Sequence, residues 1–197
     1  CLKPLTWKIL KNMYSSYDEL PKLEAETLVS GRTYITPAGK FPSITTILGK
    51  TNNSLWLEQW RDRVGIEEAA RVSKIATDRG TAVHSYLERY WNKEDIFSDL
   101  QQETPDRIHM VKSLITLTEE NISEVYAQEI ALWSSTLKCA GRVDKVCKYK
   151  GEDVILDYKT AKKPKNLVTD IFDYRLQITF YREAHNELFP NKHINKG

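Results

Sequence analysis

The sequence predicts an α/β fold in which amphipathic helices flank a β-sheet. Apolar residues recur at helical spacing over residues 54–76, 79–91 and 105–121. From residue 124 the pattern changes to three strand-like segments separated by turn residues, and another helical pattern follows over residues 173–189. Long helices before and after a group of strands are typical of a sheet with helices packed against its faces.

The length and composition are those of an ordinary folded domain. With 197 residues the chain can bury its own core, so we expect residues 1–197 to form a single domain. Hydrophobic residues make up 41% and charged residues 28%, which argues against a disordered or a membrane-embedded class. The formal net charge of +2 permits a nucleic-acid partner without requiring one, so any basic surface must be local.

The sequence predicts an intracellular protein without a membrane partner. No apolar run approaches the ~18 residues of a membrane span, and no signal-peptide pattern is present. The chain begins with Cys1 rather than Met, so removal of a targeting segment stays open. Cys139 and Cys147 have no metal-ligand spacing and suit the core of one strand, so we expect neither a zinc site nor an iron–sulfur cluster.

The N-terminal third predicts a hairpin followed by long helices. A short helix is predicted over residues 6–17, and residues 32–48 predict a hairpin that turns at "PAGK". In the first long helix three apolar residues lie four apart, namely Trp56, Trp60 and Val64. This spacing favours a core stripe with a solvated basic face, and a basic helix that contacts phosphates is the alternative.

Two further helices are predicted before the strands begin. His84, Glu88 and Trp91 share one side of the second long helix. A single histidine in such a position is more often a packed or capping residue than a ligand. Thr104 followed by Pro105 predicts the start of the third long helix, which looks structural because its apolar residues keep helical spacing.

The strand region predicts two carboxylates facing each other. Strands are predicted over residues 124–135, 137–150 and 152–160. If Lys150 and Gly151 form a two-residue hairpin turn, the numbers of opposed residues sum to a constant. Asp144 then lies opposite Asp157 with Cβ atoms ~5 Å apart. The same register places Val146 opposite Ile155 and Arg142 opposite Lys159.

Two opposed carboxylates in a partly dry site need a cation between them. Their repulsion costs a few kcal/mol or raises one pKa strongly. Lys159 supplies one charge, and a hard divalent ion such as Mg²⁺ or Mn²⁺ is the natural occupant of an oxygen-lined pocket. Two acids and a lysine on one sheet face are the minimal equipment for metal-assisted phosphodiester hydrolysis. The alternative is a surface salt bridge, and a longer turn would shift the register.

At these residues the chain resembles the RecB-like exonuclease branch of the PD-(D/E)XK nuclease superfamily. The order "GRVD", "ILDYKT" and "QITFY" carries the resemblance. Mitochondrial and phage-encoded exonucleases of that branch are also similar at "FPSITTILG", "RGTAVHSYLE" and "YAQEIAL", over residues 32–188. The resemblance implies a restriction-endonuclease-like core with a central mixed sheet flanked by helices, preceded by an N-terminal hairpin and helical region.

The resemblance also implies an active site. It assigns metal binding to Asp144, Asp157, the carbonyl group of Tyr158 and His84, and it assigns catalysis to Lys159. Glu129 in "YAQE" matches an acidic residue found beside such sites. Residue alternation alone does not bring Glu129 to the metal, since its strand lies two strands from that of Asp157.

The last helix and the loop before it are the predicted DNA contacts. By resemblance, Gln177 and Tyr181 orient the lysine region and the DNA, while simple packing of Tyr181 with its hydroxyl outward is the alternative. Three lysines follow the catalytic strand where a phosphate backbone would enter, and a solvated loop is the other interpretation. These lysines are Lys162, Lys163 and Lys165.

The activity implied is Mg²⁺- or Mn²⁺-dependent DNA hydrolysis, exonucleolytic and with a preference for single strands. Tyr90 and the tryptophans offer stacking surfaces for bases. A duplex-end or structure-specific endonuclease and an inactive DNA-binding module are the alternatives. Relatives of this branch continue beyond "FPNKHINKG" with further strands and a helix, so we expect part of the sheet to be missing. The expected location is a mitochondrion, or a bacterial cytoplasm for a phage-encoded protein.

Overall fold

The computed structural model describes residues 14–51, 55–163, 165–166 and 171–197, without the side chains of residues 55–57. Three strands come first, β1 (Glu24–Leu28), β2 (Gly31–Thr36) and β3 (Gly39–Pro42). Five helices follow, α1 (Ile44–Thr51), α2 (Leu55–Val64), α3 (Ile66–Trp91), α4 (Phe97–Leu100) and α5 (Pro105–Asn121). The chain continues with β4 (Ile122–Ser134), β5 (Cys139–Tyr149), β6 (Glu152–Leu156) and α6 (Phe172–Leu188).

The N-terminal sheet contains the predicted hairpin and one additional strand. Thr36 pairs with Gly39 at the turn between β2 and β3, so the predicted hairpin is confirmed. Strand β1 pairs antiparallel with β2 and was not predicted, because its residues are all exposed and carry no alternating apolar pattern. Residues 6–13 of the predicted N-terminal helix lie outside the described residues. Further on, Tyr17–Glu19 forms a 3₁₀ helix capped by Ser16.

The break between the first two long helices lies elsewhere than predicted. Residues 66–91 form one continuous helix, and the chain interrupts at Gly65, whose φ is 86°. Glycine reaches this backbone conformation without a Cβ clash. The predicted break between two helices near residue 78 was wrong. Gly80 lowers the stability of the helix by only ~1 kcal/mol relative to alanine, and tertiary packing compensates for this loss. Helix α5 begins at Pro105 with Thr104 as its N-cap residue, as predicted.

The second sheet has the order β4-β5-β6, and both of its strand pairs are antiparallel. Lys150 and Gly151 both have positive φ, which is the geometry of the predicted two-residue turn. Tyr149 pairs with Glu152, and the predicted register holds up to the pair Lys145 and Leu156. Parallel pairing is present at two isolated bridges, Ser43 with Ala140 and Val154 with Lys196.

Two hydrophobic cores meet beside this sheet. The sheet core contains Trp133, Val143, Ile155 and Phe180 and lies between the second sheet, α6 and the N-terminal sheet. The helix core contains Val83, Leu87, Val111 and Ile115 from α3 and α5, together with Tyr158. Cys139 and Cys147 are buried and free, as expected of small core residues. The prediction of helices flanking a restriction-endonuclease-like sheet is confirmed. Among the described helices, none is long and apolar enough to cross a bilayer.

A buried histidine joins α6 to the segments on either side of it. His185 is fully buried, with Nε2 2.9 Å from the Tyr17 hydroxyl and Nδ1 3.1 Å from Asn186 Oδ1. The backbone N–H of Ile194 also donates to Asn186 Oδ1, which fixes that atom as the amide oxygen. Nδ1 of His185 therefore carries the proton, and Nε2 accepts from Tyr17. Burial lowers the pKa of His185, which favours this neutral form of the imidazole.

This neutral histidine predicts a loss of stability in mild acid. Burial lowers the pKa of His185 below its ordinary value near 6.5. The unfolded chain therefore binds a proton below pH 6.5 that the folded chain excludes, so the stability contributed by this group is complete above pH 6.5 and falls below it. We expect the Tm of wild type to drop more steeply between pH 7 and pH 5 than that of His185→Gln. His109→Gln, at an exposed histidine of α5, is the control and should keep the wild-type slope.

Candidate active site

The site forms where β6 ends beside α3 and α6. Asp144 on β5 is 9% exposed, and its carboxylate has two partners. Its Oδ1 lies 3.1 Å from His84 Nδ1, and its Oδ2 accepts from the backbone N–H of Tyr158 at 2.5 Å. The structure therefore brings together the predicted residues Asp144, His84 and Tyr158. The contact of Tyr158 uses its N–H, and the role predicted for its carbonyl group stays a prediction.

The strand predicted over residues 152–160 ends at Leu156, one residue before Asp157. The Asp144 carboxylate, rather than a backbone carbonyl of β5, receives the N–H of Tyr158, so the ladder stops there. The ladder ends at the pair Lys145 and Leu156. The predicted pairing of Asp144 with Asp157 as cross-strand neighbours is therefore wrong, and so is that of Arg142 with Lys159. Arg142 instead pairs with Glu129 on β4, and Lys159 pairs with Asp157.

Glu129 reaches the site through a local distortion of β4. Gln128 pairs with Lys145 and Ile130 with Val143, so Glu129 lies between these pairs and opposite Asp144. Its φ of 51° is left-handed, a conformation rare for a residue with a side chain. One ligand atom each of His84, Glu129 and Asp144 lies within 4.8 Å of the others. The convergence depends on the register between β4 and β5, which the sequence analysis did not predict.

The electrostatics of this cluster match a place for a cation. Burial, with the charges of Asp144 and Glu88, raises the pKa of Glu129 to about 7. Burial and the charge of Asp144 also raise the pKa of Asp157. Burial alone would lower the pKa of His84, but its hydrogen bond to Asp144 and that group's charge outweigh it and raise the pKa. Crowded acids that resist ionisation beside a histidine are typical of a site that gains stability from a bound ion.

Asp157 and Lys159 are held on the opposite side of Asp144 from Glu129. The Asp157 side chain is 9% exposed, and its Oδ2 contacts the ammonium group of Lys159. Its Oδ1 accepts from Gln177 Nε2 at 3.4 Å. Gln177 also donates to the Tyr181 hydroxyl at 2.9 Å, so that hydroxyl points inward and the alternative of an outward hydroxyl is wrong. Gln177 thus contacts the acid that accompanies the lysine, and Tyr181 contacts Gln177.

A close contact beneath the site fixes the position of Tyr181. A Cβ placed on Gly141 of β5 would lie 2.7 Å from Tyr181 Cε1 and 3.2 Å from Ile44 Cγ2. Distances this short leave room for glycine only. The phenol ring therefore packs directly on the strand that carries Asp144, three residues further on. A side chain at position 141 would displace Tyr181 and, through Gln177, disturb Asp157.

The lysine-rich loop is exposed beside this site. Lys162, Lys163 and Lys165 are all solvent-accessible, while Pro164 lies outside the described residues. The ammonium groups of Lys159 and Lys165 lie 5.5 Å and 5.4 Å from the centroid of the Tyr174 ring, so one aromatic ring contacts both the loop and Lys159. Position and charge are compatible with the predicted phosphate contacts, and those contacts stay a prediction.

One buried cation was missed by the sequence analysis. Lys145 is 1% exposed and lies on the face of β5 opposite Asp144. Its Nζ is 2.5 Å from Gln128 Oε1 and 4.7 Å from the centroid of the Trp91 ring. Burial lowers the pKa of Lys145 to about 8. The ammonium group of Lys145 therefore covers the Trp91 ring, which was predicted to stack on bases. The side chain of Trp56, another predicted stacking surface, lies outside the described part of the chain.

The raised pKa of Glu129 predicts proton release when a metal binds. A carboxyl group with a pKa about 7 is half protonated at pH 7, and an ion binds only the carboxylate. Apparent affinity for Mn²⁺ should therefore rise with pH up to and beyond 7. Calorimetry in buffers of different ionisation enthalpy should show fewer protons released by Glu129→Gln than by wild type at pH 6.5. Equal proton release by the two proteins would contradict the idea that Glu129 loses its proton when the metal binds.

Comparisons with known proteins agree with this geometry. Three mitochondrial genome maintenance exonuclease 1 proteins are similar to the chain, at 32% identity for mouse, 30% for Xenopus tropicalis and 28% for human. Each alignment covers about three quarters of this chain (74%, 75% and 74%) and 44% of the relative, so the chain spans less than half the length of these proteins. A sequence profile of the PD-(D/E)XK nuclease superfamily matches residues 59–195, which include the whole acid, histidine and lysine cluster. The chain belongs to the PD-(D/E)XK nuclease superfamily.

Proposed function

We propose that this protein is a metal-dependent deoxyribonuclease that removes nucleotides from the ends of DNA, preferentially single-stranded DNA. The observation that carries the proposal is the convergence of His84, Glu129 and Asp144 within 4.8 Å, next to the Asp157 and Lys159 pair. One nitrogen and several carboxylate oxygens suit a hard divalent ion such as Mg²⁺ or Mn²⁺. The adjacent ammonium group supplies the charge that phosphodiester hydrolysis requires.

Each residue of the cluster has a role in this proposal. Asp144, Asp157 and His84 hold the metal, with Glu129 and the Tyr158 carbonyl group completing the set. The chemistry supplied by Mg²⁺ or Mn²⁺ there is polarisation of a phosphoryl oxygen and a lower pKa for a bound water. Lys159 orients the attacking water or neutralises charge that develops on the phosphate. Gln177 keeps Asp157 and, through it, Lys159 in position.

The exonuclease part of the proposal is supported by the similar proteins. All three are named as exonucleases that maintain the mitochondrial genome. Their names also favour the mitochondrion over a bacterial cytoplasm as the location. Lys162, Lys163 and Lys165 present a short group of positive charges beside the site, which a flexible single strand can follow.

Digestion of end-labelled DNA tests the proposal. Oligonucleotides labelled at the 5′ or 3′ end, single- or double-stranded, are incubated with Mg²⁺, Mn²⁺ or EDTA. We expect stepwise shortening of the single strand with either metal and none in EDTA. Hydrolysis in EDTA at the same rate would exclude metal dependence.

A circular single strand separates the alternatives. An exonuclease leaves the circle intact, whereas cleavage of the circle would favour a structure-specific endonuclease. Faster digestion of duplex ends would overturn the single-strand preference alone. Binding of DNA without hydrolysis under any metal condition would favour an inactive DNA-binding module of the same fold.

A further inference from the structure

A cavity adjoins the site on the side away from Lys159. It has a volume of about 760 Å³ and lies between the N-terminal sheet and strands β4 and β5. Residues of β1 and β2 form one wall, including Thr27 and Arg32. The opposite wall contains Glu129 and Arg142. Because Glu129 also belongs to the metal-binding cluster, the cavity opens directly onto the site.

Arg142 connects the cavity to the acids. It lies two residues before Asp144 on β5, so both side chains project from the same face of the sheet, ~7 Å apart along the strand. Its side chain is 60% exposed, and its Nη1 lies 3.5 Å from Glu129 Oε2. Within the described part of the chain, Glu129 is the ion-pair partner recorded for this guanidinium. A guanidinium has five N–H donors, so Arg142 can bind a further oxyanion beside its contact with Glu129.

A second guanidinium lies on the facing wall. Arg32 of β2 is exposed, and its Nε donates to Thr27 Oγ1 at 3.1 Å, which holds the side chain against β1. Thr27 and Arg32 are cross-strand partners on the face of the N-terminal sheet that lines the cavity. Two arginines on opposing walls beside a metal-binding cluster form a suitable receptor for a phosphate group.

We propose that Arg142 and Arg32 bind the backbone phosphate that neighbours the scissile one, on the side of the site away from the lysine-rich loop. This inference rests on the proposed nuclease function and adds the path of the substrate. The DNA strand enters along Lys162, Lys163 and Lys165, crosses the acids, and continues into the cavity between the N-terminal sheet and β4. The N–H donors of Arg142 that do not contact Glu129 would donate to this phosphate.

The test measures DNA affinity without cleavage. Binding of a fluorescent ten-nucleotide single strand is followed by anisotropy in Ca²⁺ at several salt concentrations. Loss of one phosphate contact lowers the slope of log affinity against log salt by ~0.7 for a single strand. We expect that decrease for Arg142→Ala and for Arg32→Ala, and close to the wild-type slope for Arg142→Lys. Lys40→Ala is the matched control, because it removes an exposed cation from the opposite face of the same sheet.

A chemical substitution in the DNA locates the contact. Replacing one phosphate at a time with an uncharged methylphosphonate should weaken wild-type binding at a position next to the cleavage site, and Arg142→Ala should be insensitive at that position. An unchanged salt slope in both arginine variants, or an equal decrease in Lys40→Ala, would overturn the inference while digestion by wild type still supported the nuclease. Wild type that neither binds nor digests DNA would overturn both.

Discussion

Replacing Lys159 with alanine is expected to reduce DNA hydrolysis by about 10²–10⁴-fold, the range typical of a lost acid–base or charge-stabilising group. The ammonium group contacts Asp157, one of the acids proposed to hold the metal. Its charge opposes the rise in the pKa of Asp157 that burial produces. The measurement is single-turnover digestion of a labelled single strand in saturating Mg²⁺ or Mn²⁺.

A neighbouring lysine provides the comparison for this variant. Lys162→Ala removes a positive charge three residues away in the exposed loop, so it should weaken DNA binding and leave the single-turnover rate within a few-fold of wild type. Lys159→Ala should instead retain DNA binding in Ca²⁺. Full activity of Lys159→Ala, or a rate loss as large in Lys162→Ala, would contradict a catalytic role for Lys159.

Asp144→Asn is expected to remove metal binding and lower hydrolysis by about 10³-fold or more, because metal stabilisation of a developing phosphate charge is worth about 4 kcal/mol. The fold should persist, since the amide oxygen can still accept the N–H of Tyr158. The variant also removes the charge that raises the pKa of His84, so burial should then lower that pKa below its ordinary value. NMR titration of the His84 ring measures this effect without metal or substrate.

Asp153→Asn is the matched control for this change. Asp153 is an exposed acid of β6 whose carboxylate accepts from the Tyr126 hydroxyl at 2.7 Å, well apart from the metal-binding cluster in the sheet. Its replacement should leave Mn²⁺ affinity and the His84 titration unchanged. A His84 pKa that stays raised in Asp144→Asn would show that the electrostatic account of the pair is incorrect.

Local turn chemistry made one part of the site predictable. Lys150 and Gly151 form a turn whose length fixes the register, and the register brings the end of β6 beside Asp144. Alternation then assigns the face of every residue between them. The prediction failed one residue past Leu156, because a side chain of β5 replaces the backbone as hydrogen-bond acceptor. Such a competition between side chain and backbone leaves no pattern in the sequence.

The remaining partners of the site depend on tertiary packing. Glu129 lies opposite Asp144 in the register that β4 and β5 adopt in the sheet, and neither this register nor the left-handed φ of Glu129 leaves a signal in the sequence. His84 was assigned by resemblance, since helical periodicity places it on a face without saying which element packs there. Gly65, by contrast, carries a local signal for the helix break, because a glycine between two helical patterns is a common point of interruption.

The boundary between the two hydrophobic cores passes through the active site. His84 approaches it from the helix core and Asp144 from the strand beside the sheet core, and the two are joined by one hydrogen bond. An ion that binds both residues would couple the opening of the helical half to its own dissociation. Amide hydrogen exchange in α3 and α5 should therefore slow as Mn²⁺ is added, with a midpoint set by the affinity of the site. Metal occupancy could then be followed at backbone amides that are remote from the bound ion.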